Sequence, residues 1–155
     1  MKEIMREIGR IYRCLESISN IEFKQFDLAK GQYSYLVRIC EQPGVIQERV
    51  ADMLKVDRTT ASRAIQKLED SGFVCKKRDA KNKKIFPLFP TEKGNYIYEV
   101  LKADEDYSNQ TALQGITDDE QRILLDLLGR IRINLEPDWS LVKKGGQRDY
   151  LKNIK

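Results

Sequence analysis

Two helical segments joined by a very short turn constrain the fold of this chain more than any other feature of its sequence. Residues 46–55 and 58–71 both repeat apolar side chains at helical spacing, and the turn over residues 55–57 joins them. Asp57 can cap the second helix, and Gly72 is a suitable residue just beyond its end. The pattern is typical of a helix-turn-helix.

A β-hairpin is predicted directly after these helices. Residues 73–77 and 85–89 have β-like composition, and they flank the charged loop of residues 78–84. Pro87 cannot donate a hydrogen bond, so it must occupy an outward edge position or weaken its strand.

Long amphipathic helices are expected on both sides of this unit. The first two cover residues 3–20 and residues 31–41, and the second of these has Tyr33, Leu36, Val37 and Cys40 inward. A third follows Thr91 and covers residues 92–113. The last helix begins at the capping box Thr117–Glu120 and ends at Glu136, before Pro137. We therefore predict a mainly α fold, a winged helix-turn-helix with additional N- and C-terminal helices. Residues 1–136 form one unit, with the winged helix over about 31–90, and residues 137–155 form a C-terminal tail.

The predicted helix over residues 58–71 has an unusual outward face. Ala61, Ala64, Ile65 and Leu68 share one side, whereas Thr59, Ser62, Arg63 and Gln66 share the other. Short hydroxyl side chains let a helix approach DNA bases, and amide and guanidinium groups can read base edges or hold phosphates. This face predicts DNA recognition better than it predicts a plain solvated surface, with Arg58 and Thr60 completing the candidate set.

Positive charge is concentrated around the same region. Residues 45–86 carry eleven Lys or Arg and six Asp or Glu, whereas the whole chain has a net charge of only +4. Arg78, Lys81, Lys83 and Lys84 stand at or near the hairpin tip, where they can contact phosphates. A solvated hairpin tip is the less favoured alternative.

Composition excludes several classes of site. The chain has no histidine and three dispersed cysteines, so neither a zinc site nor a histidine acid–base catalyst is expected, and no cofactor is predicted. Dispersed thiols and the lack of a long apolar run favour a cytoplasmic protein that does not enter a membrane.

Residues 46–94 closely resemble the MarR family of winged-helix transcriptional regulators. The matching motifs are Gln47-Glu48 before Val50-Ala51, the turn from Asp57, Arg63, Leu68-Glu69, Gly72-Phe73, the charged wing and Thr91-Glu-Lys-Gly94. The flanking helices extend the resemblance to about residues 3–136. Ile46 departs from the family pattern, which often has a Ser or Thr cap there, and Asn82 and Lys84 stand where Asp and Arg are common.

The resemblance implies a homodimer that binds a near-palindromic operator in double-stranded DNA and is controlled by a small, often phenolic ligand. The dimer would be held by the first helix and the last two helices. The candidate interface residues are Ile4, Ile8, Ile11, Leu15, Leu124, Leu127, Leu128 and Ile131. A repressor released by a ligand or another signal is the expected function.

Two finer sites stay open. Tyr12, Tyr33 and Tyr35 are candidates for an aromatic ligand pocket, although aromatic residues at helical spacing are more often core. Cys14 lies in the first helix, where peroxide sensors of the family place their reactive thiol; an ordinary helical position is the favoured alternative.

Two other functional classes fit the sequence less well. A winged-helix module for protein–protein assembly would present an apolar face, which the Thr59 to Gln66 stripe is not. An enzyme is the least expected class, because the chain lacks histidine, a glycine-rich phosphate loop and a paired-carboxylate pattern.

Overall fold

The fold is mainly helical with one small sheet, as predicted. A computed structural model of the chain describes residues 2–152 and residue 154. The elements, in chain order, are α1 (Glu3–Glu22), a 3₁₀ turn (Phe23–Phe26), α2 (Gln32–Glu41), α3 (Gln47–Met53), α4 (Arg58–Asp70), β1 (Val74–Lys76), β2 (Leu88–Pro90), α5 (Glu92–Ala112), α6 (Asp118–Lys143) and α7 (Asp149–Lys152). Two compact units, Met1–Ser108 and Asn109–Lys155, divide the chain within α5.

The hydrophobic core of the first unit joins α2, α3, α4 and the sheet. Its fully buried side chains include Leu36, Ile39, Val50, Ile65, Leu68, Phe73, Val74 and Leu88. The apolar side predicted for α4 is therefore confirmed. In α2 the inward side is rotated from the prediction: Tyr35 and Ile39 are buried with Leu36, whereas Tyr33, Val37 and Cys40 are partly buried at the margin.

The hairpin is confirmed, but its second strand begins later than predicted. Val74, Cys75 and Lys76 pair antiparallel with Pro90, Phe89 and Leu88. Residues 85–87 lie outside β2, because Ile85 N turns back to donate to Asn82 O (3.0 Å) and Pro87 has no N–H.

Leu88 has a strand partner on both sides. Its N–H donates to Val45 O (2.9 Å), and its carbonyl accepts from Gly44 N (2.7 Å). The segment that enters α3 is thus bonded directly to the second strand of the hairpin.

Thr91 begins α5 as predicted and ties it to the end of α4. Its hydroxyl accepts from Gly94 N (3.1 Å) and donates to Gly72 O (2.6 Å). Gly72 has a left-handed backbone (φ 77°), which lets the chain turn sharply between α4 and β1.

The prediction that the last helix ends at Glu136 is wrong. The capping box of Thr117 and Glu120 begins α6 as expected, but the helix continues through Pro137 to Lys143. An interior proline removes one N–H donor, and the turns on either side hold the helix together. Gly145 (φ 82°) follows its end, and Gly146 N donates to Leu141 O (2.9 Å).

The predicted C-terminal tail is therefore partly helical. Residues 137–143 belong to α6, and Arg148 Nε lies 2.8 Å from Asp138 Oδ2, just before α7. Residues 153 and 155 of the predicted tail lie outside the described residues.

Candidate nucleic-acid interface

The turn between α3 and α4 fixes the start of α4, the candidate DNA-recognition helix. Asp57 Oδ1 accepts from Thr60 N (2.8 Å), and Asp57 Oδ2 accepts from the Thr60 hydroxyl (2.6 Å). These hydrogen bonds, first from the Thr60 side chain and then from its backbone, hold the pKa of the Asp57 carboxyl below its usual value. The Thr60 hydroxyl, a predicted DNA contact, is committed to this cap in the free protein.

The outward face of α4 is exposed as predicted. Thr59, Ser62, Arg63 and Gln66 all face solvent, whereas Ala61, Ile65 and Leu68 on the opposite side are fully buried. Gln66 Nε2 donates to Asp70 Oδ1 (2.9 Å), which orients the amide. Within the described part of the chain, the Arg63 guanidinium makes no ion pair, so it is available to an outside partner.

Arg58 at the start of α4 already has a partner. Its Nη2 lies 3.1 Å from Glu48 Oε1 of α3, and both side chains are largely exposed. Glu48 was not predicted as part of the site. The sequence gives little indication of this role, because a glutamate ten residues before an arginine does not by itself predict that the two side chains pair.

The wing between β1 and β2 is shaped by two short polar side chains. Asp79 Oδ1 accepts from the backbone N–H of Lys81 (2.8 Å) and of Asn82 (2.7 Å), and Asn82 Oδ1 accepts from Lys84 N (3.0 Å). Side-chain acceptors of this kind stabilise tight turns. The sequence prediction missed these two shaping residues, although Asp and Asn in a charged loop are a recognised turn signal.

The cationic side chains of the wing are exposed and unpaired among the described residues. They are Arg78, Lys81, Lys83 and Lys84. Elsewhere on the surface, arginines are neutralised by nearby carboxylates, as in the Arg6–Glu3 and Arg38–Glu41 pairs. The wing therefore keeps a positive surface, which together with the polar face of α4 is suited to a polyanion.

The three candidate ligand tyrosines have different environments. Tyr35 is a core residue, Tyr33 is half-buried with its ring 5.4 Å from the Phe23 ring, and Tyr12 is 60% exposed with its hydroxyl donating to Glu16 Oε1 (3.2 Å). Partial burial raises the pKa of Tyr12, and Glu16 followed by Tyr33 and Tyr35 raises it further. Tyr35 therefore serves mainly as core, whereas Tyr33 and Tyr12 are partly or largely exposed.

The helices outside the winged unit expose apolar stripes. Ile4, Ile11 and Leu15 of α1 are exposed, and so are Leu124, Leu127 and Leu128 of α6; Ile8 and Ile131 are partly exposed. No residue of α6 is buried along its whole length. Exposed apolar side chains that follow one another along a helix mark a candidate interaction surface.

The three cysteines are free thiols in different surroundings. Cys14 is exposed on α1, whereas Cys40 and Cys75 are partly buried. Burial, with a smaller contribution from Glu41, raises the pKa of the Cys40 thiol to about 12. We therefore expect the Cys40 thiol to stay protonated at neutral pH.

Two kinds of site find no support in the described part of the chain. No three or more His, Cys, Asp or Glu side chains there are grouped to hold a metal ion. Among the same residues, no helix is both long enough and apolar enough to cross a membrane.

A helix-turn-helix whose second helix exposes a polar face, followed by a charged two-stranded wing, defines a winged helix-turn-helix protein. Known proteins that are similar to this chain belong to the same class. Residues 28–86 match the model of the MarR family. The chain is 57% identical to the HTH-type transcriptional regulator YybA of Bacillus subtilis (strain 168), over 97% of this chain and 100% of the relative.

Solved structures have the same fold. A MarR-family regulator from Listeria monocytogenes, complexed with 26mer DNA, matches with a TM-score of 0.93 and 54% identity over 97% of this chain and 100% of that chain. The transcriptional regulator SlyA matches with a TM-score of 0.86 and 52% identity, over 91% and 99% of the two chains. This chain belongs to the MarR family of transcriptional regulators, which confirms that its class is not enzymatic.

Proposed function

We propose that this protein is a homodimeric, sequence-specific DNA-binding repressor that a small ligand or another signal releases from its operator. The observation that carries the proposal is the outward face of α4, where Thr59, Ser62, Arg63 and Gln66 are exposed and the Arg63 guanidinium is unpaired among the described residues. The DNA complex of the 54% identical Listeria protein supports a DNA partner for this chain.

The different roles of α4 and of the wing in DNA binding follow from the chemistry of their side chains. Arg63 and Gln66 can form paired hydrogen bonds with base edges in the major groove, so α4 reads sequence. Arg78, Lys81, Lys83 and Lys84 carry point charges on a hairpin tip, so the wing holds phosphates and adds affinity without sequence preference.

A second copy covers the apolar stripes of α1 and α6 in this proposal. Two-fold symmetry then presents two α4 helices to one duplex, and a near-palindromic operator matches that symmetry. The half-sites are expected about one DNA turn, ~34 Å, apart.

Release from DNA is assigned to the region of Tyr12 and Tyr33 or to Cys14. The first is the candidate aromatic ligand pocket, and the second is an exposed thiol on the helix that carries part of the apolar stripe. A ligand or an oxidation there can act only by favouring one arrangement of the dimer over another.

Selection from a random duplex pool tests the proposed function. The full-length protein is incubated with the pool, bound duplexes are enriched, and the affinity for the enriched duplex is compared with that for a scrambled duplex over a salt series. We expect an inverted repeat and a steep salt dependence. Enrichment of no sequence, with equal binding to both duplexes, would reject sequence-specific recognition.

A further inference from the structure

One ion pair joins α4, the candidate recognition helix, to the base of the wing. Lys76 Nζ lies 3.3 Å from Glu69 Oε2, and each side chain is only 29% exposed. The pair is more shielded than Arg38–Glu41 or Arg58–Glu48, whose side chains are between 34% and 74% exposed. Shielding from water and salt lets an ion pair hold its geometry better than a fully exposed pair does.

The pair is placed where the regular sheet ends. Glu69 lies in the last turn of α4, and Lys76 is the last residue of β1. Beyond it the two arms of the wing are joined by the backbone bonds Lys77 N to Pro87 O (3.0 Å) and Asp79 N to Ile85 O (3.2 Å). The angle at which the wing leaves the sheet is therefore set close to Lys76.

The outer wing is not packed against α3. A cleft of about 310 Å³ separates Ile46 and Glu48, at the start of α3, from Lys84 and Phe86 of the wing. Lys76 lines the same cleft. The hydrogen bonds of Gly44 and Val45 to Leu88 hold only the base of the hairpin, and a cleft lies between α3 and the outer wing. The contact of Lys76 with Glu69 therefore adds support from α4 at the point where the outer wing begins.

We propose that Glu69 and Lys76 are positioning residues for DNA recognition, which hold the wing at the angle where its cations and the reading face of α4 meet one duplex together. This inference rests on the proposed DNA-binding function. Neither residue needs to touch DNA in this role. The pair sets the geometry through which Lys84 and its neighbours act.

The charge of Glu69 makes the inference easy to test. A carboxylate near a DNA surface repels phosphates, so its removal should tighten binding to all duplexes if charge alone matters. A positioning role predicts the opposite sign, because Glu69→Gln frees the wing and its cations then no longer reach the phosphates together.

The experiment measures binding of full-length variants to the duplex that the wild-type protein enriches from a random pool. Glu69→Gln should weaken binding roughly 5- to 10-fold, as coupled neighbouring interactions do. Asp70→Asn is the matched control, since it removes a charge from the same turn and keeps the oxygen that accepts from Gln66; it should bind equally or more tightly. The exchange Glu69→Lys with Lys76→Glu should restore most of the affinity.

A double-mutant cycle separates positioning from general loss of stability. Lys84→Ala should lower the salt slope in the wild type by about one unit for each phosphate that a subunit no longer neutralises, yet change little in the Glu69→Gln background. Thermal unfolding and sedimentation establish that each variant is folded in the same oligomeric state. Equal or tighter binding by folded Glu69→Gln, or an unchanged effect of Lys84→Ala in that background, would overturn the inference. If the wild type enriches no duplex, the proposed function fails instead.

Discussion

The carbonyl oxygen of Phe73 occupies the space that a side chain on residue 94 would need. A β-carbon built on Gly94 would lie 2.1 Å from that oxygen, far inside van der Waals contact. The same oxygen accepts from Thr91 N (3.0 Å), so it cannot move away without breaking the bond that begins α5.

Gly94→Ala should therefore destabilise the fold by about 3 kcal/mol, at the upper end of the usual cost of overpacking. Thermal or urea unfolding measures the change. Asn95→Ala is the matched control, because residue 95 is exposed on the same helical turn and should change stability by less than about 0.5 kcal/mol. Wild-type stability in Gly94→Ala would show that the backbone can shift at little cost.

Substitutions of Arg63 and of the wing lysines should change DNA binding in different ways. Arg63→Ala should cost about 1–3 kcal/mol on the selected duplex and reduce discrimination against scrambled DNA, if the contact is to a base. Lys83→Ala should weaken binding to both duplexes evenly and flatten the plot of log K against log salt. Intact affinity in Arg63→Ala, together with an abolished sequence preference in Lys83→Ala, would reverse the assignment.

A charge within the α6 stripe should separate the two copies. Leu128→Asp places a carboxylate in the proposed apolar interface and should weaken dimerisation by at least about 3 kcal/mol. Sedimentation at micromolar concentration measures it. Ile133→Asp is the matched control, since Ile133 is exposed on the opposite side of the same helix and its change should leave the dimer intact. A stable wild-type monomer would contradict the proposed dimer directly.

The exposed thiol of Cys14 should react before the partly buried thiol of Cys40. Alkylation near neutral pH should label Cys14 and spare Cys40, whose pKa is raised to about 12. If Cys14 is the signal sensor, peroxide should release DNA from the wild type and not from Cys14→Ser. A common response of both proteins, or of neither, would favour a small-molecule ligand.

The cap on α4 should give a defined pH dependence. The folded pKa of Asp57 lies below its ordinary value of 3.8, so its stabilising effect is present at neutral pH and is lost as pH falls through the folded pKa. Asp57→Asn keeps a capping side chain that does not titrate. The melting temperature of the wild type should exceed that of Asp57→Asn at about pH 7, and the difference should shrink as pH falls below 3.8 and vanish below the folded pKa. A constant difference would exclude a contribution from the charge.

The elements with strong local signals could be predicted from the sequence. The period of Ala61, Ile65 and Leu68 and the cap at Asp57 define the boundaries of α4 and its outward face, because both signals act within the helix itself. The start of β2 could not be predicted, since the turn of Ile85 back to Asn82 competes with strand pairing. Pro137 predicts a helix end by its chemistry, yet the hydrogen bonds on either side outweigh the one that it removes.

Some features of the candidate site could also be predicted from the sequence, and others could not. The exposure of Arg63 and of the wing lysines follows from periodicity and charge. The pairing of Arg58 with Glu48 and of Lys76 with Glu69 depends on how separate elements pack, which no local pattern contains. Tyr35 illustrates the limit most clearly, because helical spacing alone does not separate this core aromatic from the partly exposed Tyr33.

The position of Leu88 between β1 and the entrance of α3 has a consequence for control of the protein. Because Gly44 and Val45, before α3, are hydrogen-bonded to Leu88 of the hairpin that carries the wing, we expect the helix-turn-helix and the base of the wing to move together. A signal cannot readily switch off one of these parts and spare the other. In the proposed dimer, the releasing signal is then expected to change the distance and tilt between the two winged units, so that each unit can still bind DNA while the pair no longer matches the pitch of the duplex.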